Sequence, residues 1–238
     1  MASKVRLFVD HPLGEGQTVP LDRDRAMYLF AVMRLGAGDV LTLINGRDGA
    51  WDAVVVEGSK RGGVLAVQAQ TAPQIAPPDL WLICAPIKKQ RMDFMVKKAV
   101  ELGVARILPV VTDYTNEKAR TDKLQAHAVE AAEQCGGTYV PQVAEVARLS
   151  AVLDGWNDRR ILFCDEGLVG AAADLASLTP GPWAVLIGPE GGFSPDERAR
   201  LHGMDRAQAI SLGPRILRAD TAAVAALTLW QVTLGDWR

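Results

Sequence analysis

Residues Trp183 to Glu197 read WAVLIGPEGGFSPDE, and this stretch decides the fold. Ala184 to Ile187 is an unbroken apolar run, the pattern of a strand buried on both faces. Gly188-Pro189-Glu190-Gly191-Gly192 cannot prolong it. Pro189 fixes its own backbone, and the three glycines lack a Cβ, so the chain can wrap closely around a ligand. A helix start follows. Ser194 suits the N-cap, Pro195 the first helical position, and Glu197 the partner position of a capping box. A second loop of this kind, Ser211 to Thr221 (SLGPRILRADT), follows a strand predicted over Ala209 to Leu212. It leads into the apolar helix predicted over Ala222 to Leu234. Two Gly-Pro loops at the ends of successive strands suggest one small-molecule site.

Working outward, strands alternate with helices across the second part of the chain. Strands are predicted at Leu80 to Ala85, Arg106 to Val111 and Arg160 to Cys164. Helices are predicted at Lys88 to Leu102, Asp122 to Cys135 and Pro195 to His202. Such alternation gives an α/β fold with a parallel sheet covered on both faces. Ligands in open sheets of this kind sit at the carboxyl ends of the strands. Both Gly-Pro loops lie there, as does Asp165-Glu166-Gly167. Residues 1 to 72 read differently. Strands at Val5 to Val9, Val40 to Ile44, Trp51 to Val56 and Val64 to Gln68 are separated by Gly-containing turns, with one helix at Ala26 to Met33. This predicts a small β-barrel. The Pro-rich segment Thr71 to Pro78 separates it from a second domain over residues 73 to 238.

A net charge of −2 gives no global attraction to nucleic acid, so any such contact must come from local basic patches. No signal peptide is expected in MASKVRLFVD, and Ala222 to Leu234 is too short to span a bilayer. Cys84, Cys135 and Cys164 lack metal-ligand spacing, and His11, His127 and His202 are scattered. A cytoplasmic protein with no membrane contact and no structural metal is the expectation.

GPEGG lacks the Gly-Lys-Ser/Thr of a P-loop and is not a dinucleotide fingerprint. Ser194 reads as a helix cap. Glu190 is either a solvated loop carboxylate or a ligand group. Arg215, Arg218 and Asp220 crowd one loop. They form either an ion pair at a helix terminus or, through Arg218, a site for developing negative charge. Lys88, Lys89 and Arg91 begin a helix at a strand end; they are either a solvated helix face or a place where phosphates could be met.

LIGPEGGFSPDE followed by LGPRILRADTAAVAAL resembles the RsmE family of bacterial 16S ribosomal RNA uridine-N3 methyltransferases, in the SPOUT superfamily. KKQRMDFMVKKAVELGV and EAAEQCGG are similar to further pieces of that family, and the N-terminal module is similar to its PUA-like domain. The resemblance implies a C-terminal trefoil knot, which pattern alone would not propose. It implies a homodimer that binds S-adenosylmethionine and methylates N3 of one uridine of 16S rRNA in the assembled small ribosomal subunit. By motif match, Leu186, Ile187, Gly188, Pro189, Glu190, Gly191, Gly192, Leu212, Gly213, Ile216 and Leu217 would form the cofactor pocket. Uridine N3 must lose a proton before it can act as a nucleophile. Arg218 is the candidate for holding the resulting negative charge, and Glu190 or Asp220 for accepting the proton. RNA contacts are expected from Lys88, Lys89, Arg91, Arg6, Arg23, Arg25 and Arg34. Where the family usually carries Arg, this chain has Gly137, and Arg218-Ala219-Asp220-Thr221-Ala222 stands for the usual Arg-Thr-Glu-Thr-Ala. The competing readings are a non-catalytic RNA-binding or ribosome-assembly protein on the same fold, and an enzyme that uses GPEGG as a phosphate nest.

Overall fold

A computed structural model describes residues 5–168 and 178–237. The chain divides into two compact units, one of residues 1–76 with 132–140, the other of residues 77–131 with 141–238.

The first unit contains β1 (Arg6–Phe8), β2 (Thr18–Leu21), α1 (Arg23–Ala26), β3 (Val40–Ile44), β4 (Ala50–Ser59) and β5 (Gly62–Ala72). They form one five-stranded sheet in the order β1-β3-β4-β5-β2. Among the described residues β1 and β2 do not pair with each other, so the expected barrel is a curled sheet with two edges. Three register shifts in the β4–β5 ladder bend it, as bulges do. Its core face carries Leu41, Leu43, Ala53, Val55, Leu65 and Val67 at alternate positions. The predicted helix starts earlier, at Arg23, capped by the Asp22 carboxylate, and continues as a π-helix over Met27–Val32. The end of the helix over residues 121–135 belongs to this unit because β1 holds it. Phe8 N donates to Glu133 Oε1 at 2.7 Å, and Arg6 Nη2 donates to Gly137 O at 2.8 Å.

The second unit runs β6 (Leu80–Cys84), α2 (Lys89–Glu101), β7 (Arg106–Val111), α3 (Thr121–Cys135), β8 (Gln142–Val143), β9 (Ala147–Arg148) and α4 (Leu149–Asp154). It continues β10 (Arg160–Cys164), β11 (Trp183–Ile187), α5 (Pro195–His202), β12 (Ala207–Ile210) and α6 (Ala219–Leu234). The main sheet has the order β12-β10-β11-β6-β7-β8, and every pairing in it is parallel. All five residues of β11 are buried, as its apolar run predicts. Leu149 and Leu153 of α4 and Leu201 of α5 cover the face formed by Ile83, Ile161, Phe163, Ala184 and Leu186. On the unit's other side α6 packs against β11 and α2. Gln231, wholly buried in α6, donates from Nε2 to Leu102 O at 2.6 Å and so satisfies a carbonyl at the end of α2. Among the described residues no helix is long and apolar enough to cross a membrane, and no cluster of His, Cys, Asp and Glu could hold a metal.

Candidate active site

β10, β11 and β12 end side by side at Cys164, Ile187 and Ile210, and the loops leaving them wall two adjoining clefts. The larger, of about 430 Å³, is lined by Ile187 to Gly191 from the first Gly-Pro loop and by Ile216 to Ala219 from the second, with Arg91, Cys164, Glu166 and Ala222. The smaller, of about 60 Å³, shares Cys164, Glu166, Ile216 and Leu217 and adds Asp165, Ser211, Leu212, Gly213 and Arg215. The site therefore lies where a parallel sheet offers it, at the carboxyl ends of its strands.

The first loop is tightly folded. Gly192 N donates to Pro189 O at 3.0 Å, and Gly192 takes φ of 68°, in the left-handed region. A Cβ on Gly192 would overlap the Glu166 carboxylate, and a Cβ on Gly188 would come within 3.2 Å of the Phe193 ring. Small residues here let main chain form the cleft wall. The expected capping box is present. Glu197 N donates to Ser194 Oγ, and Ser194 N donates to Glu197 Oε2 at 3.0 Å. It also reaches the loop after β7, because Asp113 N donates to Glu197 Oε1 at 2.9 Å and Ser194 Oγ donates to Asp113 Oδ2 at 2.6 Å. Ser194 thus spends its hydroxyl on structure.

Asp165 anchors the loop that carries Glu166. Its side chain is 1% exposed and accepts from His202 Nε2 at 2.9 Å, Arg198 Nη2 at 3.0 Å and Gly167 N at 2.9 Å. Burial raises its pKa, but the bonds from His202, Gly167 and Arg198 outweigh that and hold it below the usual carboxylate range. The Cys164 thiol on the cleft wall is pushed up to about 12 by burial, as is Cys84, so neither is a thiolate at neutral pH.

Arg218 is the N-cap of α6 without a side-chain capping bond; it lines the larger cleft, and its guanidinium pairs with no carboxylate among the described residues. Glu190 lines the same cleft, with Arg91 Nη1 3.8 Å from its carboxylate. Asp220 lies outside both linings, and its Oδ1 accepts from Thr221 N at 3.1 Å. Ile187, Gly188, Pro189, Gly191, Ile216 and Leu217 line the larger cleft, and Leu212 and Gly213 the smaller. Leu186 turns its side chain into the core, and Gly192 stands behind the lining and closes the turn.

The basic residues separate into two sets. Arg91 is at the cleft; Lys88 and Lys89 are exposed at the start of α2, with Lys89 3.0 Å from Asp93. In the first unit Arg23 and Arg34 are exposed. Arg25 pairs with Asp22 at 2.7 Å and Asp10 at 3.5 Å, and half-buried Arg6 is committed to Gly137. The surroundings of Arg6 and Arg25 are those of structural residues. Glu166 lines both clefts, yet motif reading gave it no role; its one signal was its place after a strand end.

The RNA methyltransferase domain family matches residues 75–231, and the RNA methyltransferase PUA domain family matches residues 21–67. The ribosomal RNA small subunit methyltransferase E of Rickettsia conorii is 28% identical over 227 residues, which cover 93% of each chain. That of Mycobacterium tuberculosis is 28% identical over 246 residues, covering 97% of this chain and 92% of the relative. The crystal structure of a ribosomal RNA small subunit methyltransferase E from Neisseria gonorrhoeae, bound to S-adenosyl methionine, is 29% identical and superposes with a TM-score of 0.88 over 98% of this chain and 99% of that one. A Legionella pneumophila methyltransferase structure with bound cofactor SAM is 27% identical, with a TM-score of 0.89 over 98% of each chain.

Proposed function

The chain belongs to the RNA methyltransferase family, with that family's PUA domain in its first unit, and from this premise we propose that it methylates N3 of one uridine in 16S ribosomal RNA of the small subunit, using S-adenosylmethionine. The observation that carries the reading is the larger cleft, whose two walls are the two Gly-Pro loops that the sequence motifs single out. Its volume of about 430 Å³ suits a ligand of this size. Its chemistry fits as well. Ile187, Pro189, Ile216 and Leu217 offer apolar surface to an adenine, and the Glu166 and Glu190 carboxylates suit hydroxyl groups and positive charge. The bound cofactor would supply an electrophilic methyl group on a cationic sulfur.

The remaining work falls to the chain. Glu190, one of two carboxylates on the cleft wall with Glu166, is assigned the N3 proton. Arg218 donates to the charge that then spreads over O2 and O4 of the uracil; it is permanently cationic and forms no ion pair among the described residues. Asp220, outside the lining, serves the positive end of α6. Lys88, Lys89 and Arg91 meet backbone phosphates beside the cleft, and Arg23 and Arg34 meet them from the first unit.

A knot and a homodimer belong to the same proposal. β10 lies between β11 and β12, so the chain from β11 must cross β10 to reach β12 before returning to pack α6 against β11. Val224, Ala225 and Leu229, partly exposed, and Val232, exposed, give α6 an apolar strip that a second copy would bury. Action on ribosomal RNA sets the protein in the cytoplasm.

Nucleoside mass spectrometry of 16S rRNA from a deletion strain tests the reading. It should lack one 3-methyluridine, and the wild-type gene should restore it. Retention of every 3-methyluridine would refute the assignment. Arg218→Ala should keep cofactor binding and lose about 100-fold in turnover, the scale of one lost charge-stabilising donor. Equal loss of both properties would remove Arg218 from that role.

A further inference from the structure

Tyr114 stands beside the cleft on a turn built to hold it still. It is 44% exposed. The turn is closed by Thr115 N donating to Thr112 O at 3.1 Å, Thr112 N donating to Thr115 Oγ1 at 2.9 Å, and a hydroxyl–hydroxyl bond of 2.8 Å between the two threonines. Between them, Asp113 is tied through main chain and side chain to Glu197 and Ser194 at the start of α5. The ring is therefore carried by a segment with little freedom of its own.

That segment lines one opening and touches the wall of another. On one side Tyr114 packs against Gly191, where a Cβ would lie 3.4 Å from the Tyr114 Cβ and 3.8 Å from its Cγ. Gly191 and its neighbour Glu190 line the larger cleft. On the other side Thr112, Asp113 and Thr115 line a separate cleft of about 480 Å³, with Arg148 and Arg200. Tyr114, part of neither lining, therefore stands next to the glycine that ends the cleft's first wall, with its ring partly open to solvent.

We propose that Tyr114 is a substrate-positioning residue whose ring stacks on the target uracil and holds it at the cleft rim. Stacking suits this task because every base has a π-face, and a rigid ring costs little entropy to use. It also aligns the reacting atom without taking any hydrogen-bonding edge that Arg218 and Glu190 need. The inference rests on the uridine-methyltransferase reading and adds a substrate contact to it.

Wild type, Tyr114→Phe and Tyr114→Leu decide the matter when compared for methyl transfer to unmodified small ribosomal subunits and for S-adenosylhomocysteine binding by calorimetry. Tyr114→Leu should lower kcat/KM about tenfold or more, the size of one lost base–aromatic stack, while Tyr114→Phe stays within about twofold of wild type. All three should bind the cofactor product with the same affinity. Unchanged kcat/KM in Tyr114→Leu would overturn the proposal. So would a loss of cofactor affinity in step with activity, since that would make Tyr114 a prop for Gly191 only. A wild type that transfers no methyl to uridine would overturn the functional reading and this proposal together, and is told apart because all three proteins would then be equally silent.

Discussion

Asp165 carries much of the site's order although it touches little solvent. Its carboxylate takes bonds from His202, Arg198 and Gly167, on the strand end that also presents Glu166 to both clefts. Asp165→Asn keeps the shape and removes the charge, and should cost about 2 kcal/mol, the scale of a hydrogen bond to a charged group. For a chain of 238 residues that is roughly 4–8 °C in Tm. The pH dependence follows from a folded-state pKa held below the ordinary value. The stabilisation is fully present above the unfolded carboxylate value of about 4, and is lost only as pH falls further, through the lower folded value. Thermal melts of wild type and variant should differ at neutral pH, keep that difference down to about pH 4, and converge below it. Convergence already at about pH 6 would contradict this linkage. None of this hub could be read along the chain. Asp165, Arg198 and His202 look like ordinary polar residues until the fold brings α5 to the end of β10.

Among elements, those with a strong local signal were legible. The apolar run of β11, the strand Arg106–Val111 and the helix Pro195–His202 lie where their patterns predict. Elements defined by their neighbours were not. β2 contains Pro20, which argues against a strand, but β2 is an edge strand and so tolerates it. β8 and β9 are two residues each, too short for any periodicity. β12 ends at Ile210, two residues before the predicted end, because Ser211 turns to accept from Gly213 N at 3.3 Å. The α5 capping box was readable as a helix start, but its second duty, holding Asp113, spans 81 residues and was not. That duty makes Ser194→Ala more than a lost cap. The variant should lose about 1–2 kcal/mol, at the upper end for an N-cap. It should also loosen the Thr112–Thr115 turn, seen as faster hydrogen exchange at the Asp113 amide. Protection unchanged from wild type would separate the cap from the turn.

At the level of the molecule, a change of pattern after the Pro-rich segment was visible in the sequence. The return of residues 132–140 to the first unit was not, since it depends on bonds from Phe8 and Arg6 to the end of α3. Cutting the chain after residue 76 would strand that segment, so charge substitution is the cleaner test of RNA docking. Arg23→Ala with Arg34→Ala should weaken binding to small subunits at low salt and reduce the salt slope by about one for each phosphate left without its arginine. Arg6→Ala should instead lower stability, because its guanidinium is spent on Gly137. An unchanged salt slope in the double variant would move RNA docking off that surface.

The most direct measurement is a crystal structure of the protein grown with S-adenosylmethionine. The cofactor should lie in the cleft between residues 187–191 and 216–219, with its methyl group open toward Arg218 and Glu190. Density for it at any other place, with that cleft filled by solvent alone, would contradict the assigned site and the chemistry built on it.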